Sequence, residues 1–568
     1  MKCKEYMMKN LFFLDSVNYV DYTTSFYGYA ITNEGIFDET NIEGHFEKLD
    51  GTGCYVCILV HNDLIQIQQD YFGGFGLYVY QYEDYFAVSN SFWLLIEKLP
   101  TNIKLSINRD YAYNHIIEDL CSMVYEKTLI NEVQSVPMGG NIEIRSGVLY
   151  IRQNKLYTRQ YSVDSKEGMQ RLDEWYNKWH TLVYQLHLIT TNIQCDLSGG
   201  FDTRMVLSLL LGETNKKDLI DLNRFKINSA NDNLSCHEED YKIASAIANH
   251  YGFTLNNTLN LNGEINNIST ALSIRNSFYL KLGFHKEMYF RHGIFKKTRF
   301  SVTGANGEAV RGYPNKGYQS YLDSFIRKCN GYLQSDKMKN AVSQLWEYGR
   351  KQILSKYSSC FTLTTEELSN IYYEETRARN HYAKAMAENL SGNTITLNPF
   401  MDPILFELKS TTDECSDLKL LMTVIMCRYA PSLLSFPIEG GRSYDDETVR
   451  YAAELCSKYP FNKSNAIIYS FPEHYFDQRT ILEEEVNPTK KDLLLQEMQS
   501  MMEAASVRRS ITRMYGEELY NKIMEHALNH PFHPFRHAYA LLSIYFVKRC
   551  VEHHEADKPI FDIFAISE

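Results

Sequence analysis

Positive charge is scarce in this sequence. Across 568 residues, 58 Lys and Arg stand against 70 Asp and Glu, a formal net charge of −12. Nucleic acid or an anionic membrane as the main partner needs a basic footprint, and this balance argues against both. Long apolar runs are missing as well, since none approaches the roughly 18 residues of a membrane span. Near the N-terminus only Leu11–Leu14 is greasy, shorter than the apolar region of about 7–15 residues in a signal peptide. The expectation is a cytoplasmic protein. Its twelve cysteines are scattered, so free thiols are expected rather than a disulfide framework. There is no internal repeat and no low-complexity linker.

What is present is an ordinary composition, 44% hydrophobic and 23% charged, in a chain long enough for several domains. Residues 1 to about 160 read as short β-rich runs separated by turns. NIEIRSGVLYIR reads as a hairpin turning at Ser146-Gly147. From about 165 the pattern changes. RLDEWYNKWHTLVYQLHLI has helical spacing. TNIQCDLS then reads as a strand, TRMVLSLLLG as a helix, DLIDLNRFKI as a second strand and EDYKIASAIANHYG as a helix ending at Gly252. FTLNNTLNL and RFSVTG complete four strands. Strands alternating with helices imply a doubly wound parallel sheet. From about 320 onward the chain reads mostly as helices.

The first strand runs into LSGGFDTR, Leu197 to Arg204. Gly199 and Gly200 carry no side chains, so their N–H groups can approach an anion closely. The helix that follows adds its positive end. Ser198 and Thr203 supply hydroxyls, and Asp202 a carboxylate suited to Mg²⁺. These parts suit a pyrophosphate with its metal. A Walker loop would need a lysine that is absent here, and the dinucleotide pattern G-x-G-x-x-G is absent too. A bare strand-to-helix turn is the competing reading.

SGGFDTR between a strand and a helix resembles the PP-loop of ATP pyrophosphatases. SVTGANGEAVRGYP, Ser301 to Pro314, resembles the second glycine-rich loop of the asparagine synthetase family. Gly304, Gly307, Glu308 and Gly312 fall on matching positions. Glu308 stands where that family has an aspartate that helps hold Mg²⁺-pyrophosphate. A neighbouring family glutamate is Ala309 here, and Arg311 is an added cation. HEEDYKIASAIANHYGF resembles the family's adenine-side helix, with Asp240 at its start. DYFGGFGLYVYQYEDYFAVSNSFWLL and TLINEVQSVPMGGNIEIRSG, with a turn at Pro137 to Gly140, resemble parts of the amidotransferase domain. NPFMDPILFEL resembles the family's Pro-Phe-Leu-Asp helix.

The resemblance implies an Ntn-type αββα sandwich over 1–160, an ATP-pyrophosphatase domain over 165–460 and a helical extension over 461–568. It also implies an amide-forming, AMP-releasing ligase using ATP and Mg²⁺. Leu197, Ser198, Gly199, Gly200, Asp202, Thr203, Gly304 and Gly307 would bind nucleotide. Asp202 and Glu308 would hold the metal, and Asp202, Glu308 and Arg311 would act in catalysis. Glutamine-using members carry Cys at position 2, where its own α-amine serves as base. Here position 2 is Lys, and Cys3 lacks the following Gly-Ile. The expected nitrogen donor is therefore ammonia, another subunit or a substrate amine. The carboxylate partner is expected to be a small molecule or glycan acid, in surface-glycan or natural-product synthesis, with a homodimer as the assembly. The rivals are a true asparagine synthetase, a non-catalytic ATP-binding subunit, and PP-loop chemistry on RNA, which the acidic charge opposes.

Other segments read as structure. Arg377 and Arg379, two apart, do not share a helical face; one is a candidate for substrate and the other for the surface. Arg442 follows two glycines and could reach a phosphate or carboxylate. Family members often place a lysine near this region, and no lysine of this chain is assigned to that role. His526, His530, His533 and His537 have a zinc-like spacing that Pro531 and Pro534 interrupt. Cys54 and Cys57 fall on opposite faces of one strand. KKDLLLQEMQSMMEAASVRRS carries a Met-rich face that fits core or a partner helix.

Overall fold

The computed structural model describes residues 10–116, 124–154, 156–157, 159–213, 219–231, 235–257, 260–262, 265–267, 270–280, 293–295, 297–311, 335–358, 365–462, 468–476, 483–485, 488–529, 535–557, 563–564 and 566. Cys3, Gly312, His530 and His533 lie outside these residues, as do the side chains of His526 and His537. The fold is mixed α/β, with antiparallel sheets in the N-terminal part and a parallel sheet after them.

Alternation along the N-terminal strands builds two antiparallel sheets. The six-stranded sheet has the order Val148–Gln153, Gly140–Arg145, Leu64–Gln69, Gly53–His61, Ser25–Thr32, Gly35–Asp38. The four-stranded sheet runs Phe13–Asp15, Tyr85–Ser89, Tyr78–Tyr82, Val133–Ser135. Their inner faces share one core, Val56, Ile58 and Ile67 from one sheet with Leu14, Val79 and Val88 from the other. The hairpin at Ser146-Gly147 forms as expected, with both residues at positive φ (50° and 79°), the requirement of a two-residue turn that matches strand twist. Cys54 faces the shared core, and Cys57 faces outward beneath Ile42, Phe46 and Leu49. Both thiols are free.

The parallel sheet has five strands, not four. Its order is Leu255–Asn257, Lys226–Ser229, Ile193–Asp196, Arg299–Val302, Thr394–Leu397, and every neighbouring pair is parallel. In chain order that is 3-2-1-4-5. The second strand is shorter than the sequence implied: Leu222–Arg224 makes a 3-10 turn, and only Lys226–Ser229 pairs. The fifth strand, TITL, was not expected in a region that reads as helical. It is buried throughout and takes its place by pairing with Arg299–Val302 over four residues. Tyr29 ties this edge to the N-terminal part: its hydroxyl donates to the Thr396 carbonyl at 2.7 Å and accepts the Thr396 N–H at 3.2 Å.

The Pro-Phe segment is a buried junction, not a helix of any length. Pro399–Met401 forms a 3-10 turn and Pro403–Phe406 a single helical turn. Between them Asp402 caps the turn through the Ile404 N–H at 2.9 Å. It also accepts the indole N–H of Trp179 at 2.8 Å and pairs with Lys178 at 2.9 Å. Lys178 pairs with Asp50 of the N-terminal part at 3.0 Å. The long helix Lys166–Ile189 is thereby anchored on both sides.

The C-terminal helices, Pro488–Glu503, Ala505–Tyr515, Glu517–Asn529 and Phe535–Glu555, pack back on the N-terminal part. Met498, Met502, Val507, Ile511 and Phe546 share a core with Tyr78, Tyr80, Trp93 and Tyr111 on the outer side of the four-stranded sheet. The Met-rich face is therefore core. Among the described residues, no helix is long and apolar enough to cross a membrane.

Candidate functional site

Strand order places the candidate site. The first strand, Ile193–Asp196, has the second on one side and the fourth on the other. Connections leave in opposite directions at this point, and in open sheets of this kind ligands bind outside the carboxyl ends of the two strands that flank the reversal, here the first and the fourth. The turns that leave them are the two glycine turns picked out in the sequence, at 197–200 and 303–307.

Glycine lets these turns meet. A Cβ on Gly307 would lie 2.6 Å from Asp202 Cγ, and one on Gly304 would lie 2.8 Å from the Asp202 carbonyl carbon. Real Cβ atoms do not tolerate such approaches. Within the second turn, Asn306 adopts a left-handed conformation (φ 69°) and donates from its amide to the Phe400 carbonyl at 3.1 Å. Leu197 is buried in the core below, and its N–H donates to the Asn228 carbonyl at 2.8 Å.

The first turn is internally braced. The Ser198 N–H donates to Thr203 Oγ1 at 3.0 Å, and the Gly200 N–H donates to Ser198 Oγ at 3.1 Å. Gly200 caps the helix Phe201–Leu211, whose first turn carries Asp202. The Gly199 N–H donates to a carboxylate of this chain, Asp240 Oδ1, at 2.8 Å. Asp240 lies in the second turn of helix Ser235–Tyr251, not at its start. An anion thus occupies one donor of the turn, the charge type expected there.

Three of the candidate residues converge. Asp202 accepts the Arg311 Nε–H at 3.0 Å. Burial, then the nearby Glu308 carboxylate, raise the Asp202 carboxyl to about 6, against the pull of Arg311 and Arg442. Burial opposes the Arg311 charge, but Asp202 outweighs it and holds Arg311 protonated. Glu308, in the turn Gly307–Val310, accepts the Tyr382 hydroxyl at 2.9 Å. Ala309 is buried and offers no carboxylate.

Tyr382 comes from Glu374–Ala383, a segment widened into π-helical turns, a form often found at functional positions. The same segment separates the two arginines, but neither is a plain surface residue. Arg379 is buried and structural: it donates to Ser135 Oγ at 2.6 Å and to the carbonyl of Val136, clamping the N-terminal part. Arg377 is half-buried and counters the rise in the hydroxyl pKa values of Tyr373 and Tyr382.

Arg442 belongs to the site. Its guanidinium lies 5.2 Å from the centre of the Phe201 ring, and Lys419 Nζ lies 5.7 Å from the same ring. Arg442 also pairs with Glu439, whose N–H donates to the Gly199 carbonyl at 3.1 Å. Asp240 beside it, then burial, push the Glu439 carboxyl up. The preceding Gly440 and Gly441 both have positive φ (68° and 66°), so the chain can turn sharply here. Sequence reasoning missed Tyr382 and Lys419. Nothing local marks them, because both reach the site from distant segments.

A half-buried carboxylate with a second carboxylate nearby fits a divalent cation. Mg²⁺ commonly takes one or two protein carboxylates and completes its shell with water and phosphate oxygens. Among the described residues no cluster of three or more His, Cys, Asp or Glu could hold a metal by itself, so phosphate oxygens would have to complete the shell.

A scan of the chain against protein-family models finds no match, and neither does a search of curated proteins.

Proposed function

We propose that this chain is an ATP-dependent carbon–nitrogen ligase of the asparagine synthetase kind, working through an acyl-adenylate. In this reading the parallel-sheet part is a PP-loop ATP-pyrophosphatase domain. The N-terminal part is an Ntn-type amidotransferase-like domain without glutaminase chemistry, and the last residues are a helical extension. The observation that carries the reading is the meeting of Asp202 with Gly304, Gly307, Glu308 and Arg311 at the strand-order reversal.

In the first half-reaction a substrate carboxylate oxygen attacks the α-phosphorus of ATP, the α–β bridging bond breaks, and pyrophosphate leaves. A nitrogen nucleophile then attacks the acyl carbon, loses a proton and releases AMP. The turn 197–200 and the first turn of the helix after it receive the pyrophosphate. Arg311, Arg442 and Lys419 supply positive charge where it departs, the preorganised electrostatics that favour a charged leaving group. Asp202 and Glu308 would hold Mg²⁺, which neutralises phosphate charge when bound. Phosphate oxygens would displace Arg311 from Asp202 and become its partners instead. The acid is a small-molecule or glycan-linked carboxylate, and the donor is ammonia or an amine.

A second reading is a nucleotide-binding subunit without turnover. It draws on the Asp202–Arg311 ion pair, on Ala309, and on the Gly199 N–H already bonded to Asp240. Return of labelled pyrophosphate into ATP, across panels of amino acids, uronic acids and peptides, separates the two. Acid-dependent exchange supports the ligase. ATP binding without exchange supports the subunit.

A further inference from the structure

The C-terminal helices form a second basic site, away from the glycine turns. Ala505–Tyr515 and Phe535–Glu555 pack side by side through Val507, Ile511, Leu541 and Val547. Along one edge of this contact runs a cleft of about 450 Å³, within the usual range of small-ligand sites, about 300–1,000 Å³.

Its lining is cationic in an acidic protein. Arg509 and Arg513 stand one helical turn apart and face the same way, and Lys548 and Arg549 come from the opposite helix. Glu552 is the single acid among the described lining residues. It sits 3.5 Å from Lys548, which leaves the three arginines uncompensated by any carboxylate of the lining. Arg508, next in sequence, points elsewhere and pairs with Glu517 at 2.5 Å. Like charges gathered this closely repel one another, and an isolated helix pair gains nothing from them.

The cleft also holds unmet polar atoms. Arg549 Nη1 is buried without a hydrogen-bond partner, and so is His553 Nδ1 on the next turn. A buried charged donor left unpaired costs free energy that an incoming anion restores. Ser510 adds a hydroxyl to the same wall. Forked guanidinium donors together with a hydroxyl match the oxygens of a phosphoryl group.

We propose that this cleft binds a small ligand through a phosphoryl dianion. The site is independent of the proposed ligase chemistry, since it shares no residue with the glycine turns. The net charge of −12 and the small volume favour a small molecule over a nucleic acid.

The test is hydrogen exchange on the full chain with millimolar inorganic phosphate or ribose 5-phosphate, and with sulfate and acetate as controls. The expected result is slower exchange in 505–515 and 541–556 with either phosphate compound. Tighter binding of ribose 5-phosphate would show that the cleft also reads the organic part. Arg509 and Arg513 are exposed, so Arg509→Gln/Arg513→Gln keeps the fold while weakening binding at least about tenfold, the effect of losing about 1.4 kcal/mol of contact. Arg549→Gln is the second variant and should weaken binding similarly. Equal protection by acetate, no protection, unchanged binding in both variants, or preference for a DNA oligomer would each overturn the proposal. Exchange at 197–204 reports the ATP site separately, so failure there and failure here are distinguishable.

Discussion

Asp202 and Arg311 pair at 3.0 Å across the gap between two glycine turns more than a hundred residues apart in sequence. Each partner is only a quarter exposed (25% and 27%), so the pair is shielded from water but open on one side. In the proposed reaction it is a latch. The cation guards the carboxylate until phosphate oxygens take its place. Arg311→Ala should therefore lower acid-dependent ATP–pyrophosphate exchange by about 10²-fold, the usual loss when one charge-stabilising donor is removed. The steady-state exchange rate at saturating ATP is the measurement.

The same carboxylate sets a pH dependence. The Asp202 carboxyl is raised from 3.8 to about 6 by burial and Glu308. Between these values the folded protein holds a proton that the unfolded chain has released. This group's contribution to stability is full below about 4 and is lost as pH rises through about 6. In the proposed site, metal and nucleotide need the ionised form, so their affinity moves the opposite way. Mg²⁺-dependent ATP binding should fall as pH drops through about 6, and Asp202→Asn should abolish that step. Titration calorimetry at a series of pH values checks both.

Gly307→Ala places a methyl 2.6 Å from Asp202 Cγ. The turns must then separate, an overpacking cost of about 1–3 kcal/mol. ATP binding should weaken while the N-terminal sheets keep their stability. Urea unfolding together with a nucleotide-binding assay separates the two effects.

Asp402→Ala should destabilise by about 3–5 kcal/mol, because it leaves Lys178 buried with one carboxylate, Asp50, and the Thr52 hydroxyl at 3.1 Å as its partners. Lys178 is 2% exposed and Asp402 1%. Replacing both, as Asp402→Leu with Lys178→Met, should cost less than Asp402→Ala alone. The urea midpoint of each variant is the readout.

Cys54 and Cys57 should resist thiol reagents in the native protein. Burial raises both thiols, and the two side chains lie on opposite faces of Gly53–His61. Mass spectrometry after alkylation should find both unmodified until the chain is unfolded.

Much of the site was legible because turn chemistry is local. LSGGFDTR announces a strand, a tight turn and a helix within eight residues, and Ser146-Gly147 announces a hairpin within two. The strand Thr394–Leu397 was not legible. Its four residues sit between helical stretches, and only pairing with Arg299–Val302 makes them a strand. Tyr382 and Lys419 were invisible for the same reason, since their proximity to Glu308 and Phe201 exists only after folding. Arg379 looked like a candidate ligand and is instead a clamp on Ser135 and Val136, because the widened helix turns it toward the N-terminal part.

The most direct measurement is ATP–pyrophosphate exchange in wild type beside Asp202→Ala, with folding of both checked by circular dichroism. Exchange that requires a carboxylic acid and disappears in the variant is the predicted result. Exchange that persists in Asp202→Ala, or none with any acid in protein that binds ATP, would contradict adenylation at this site.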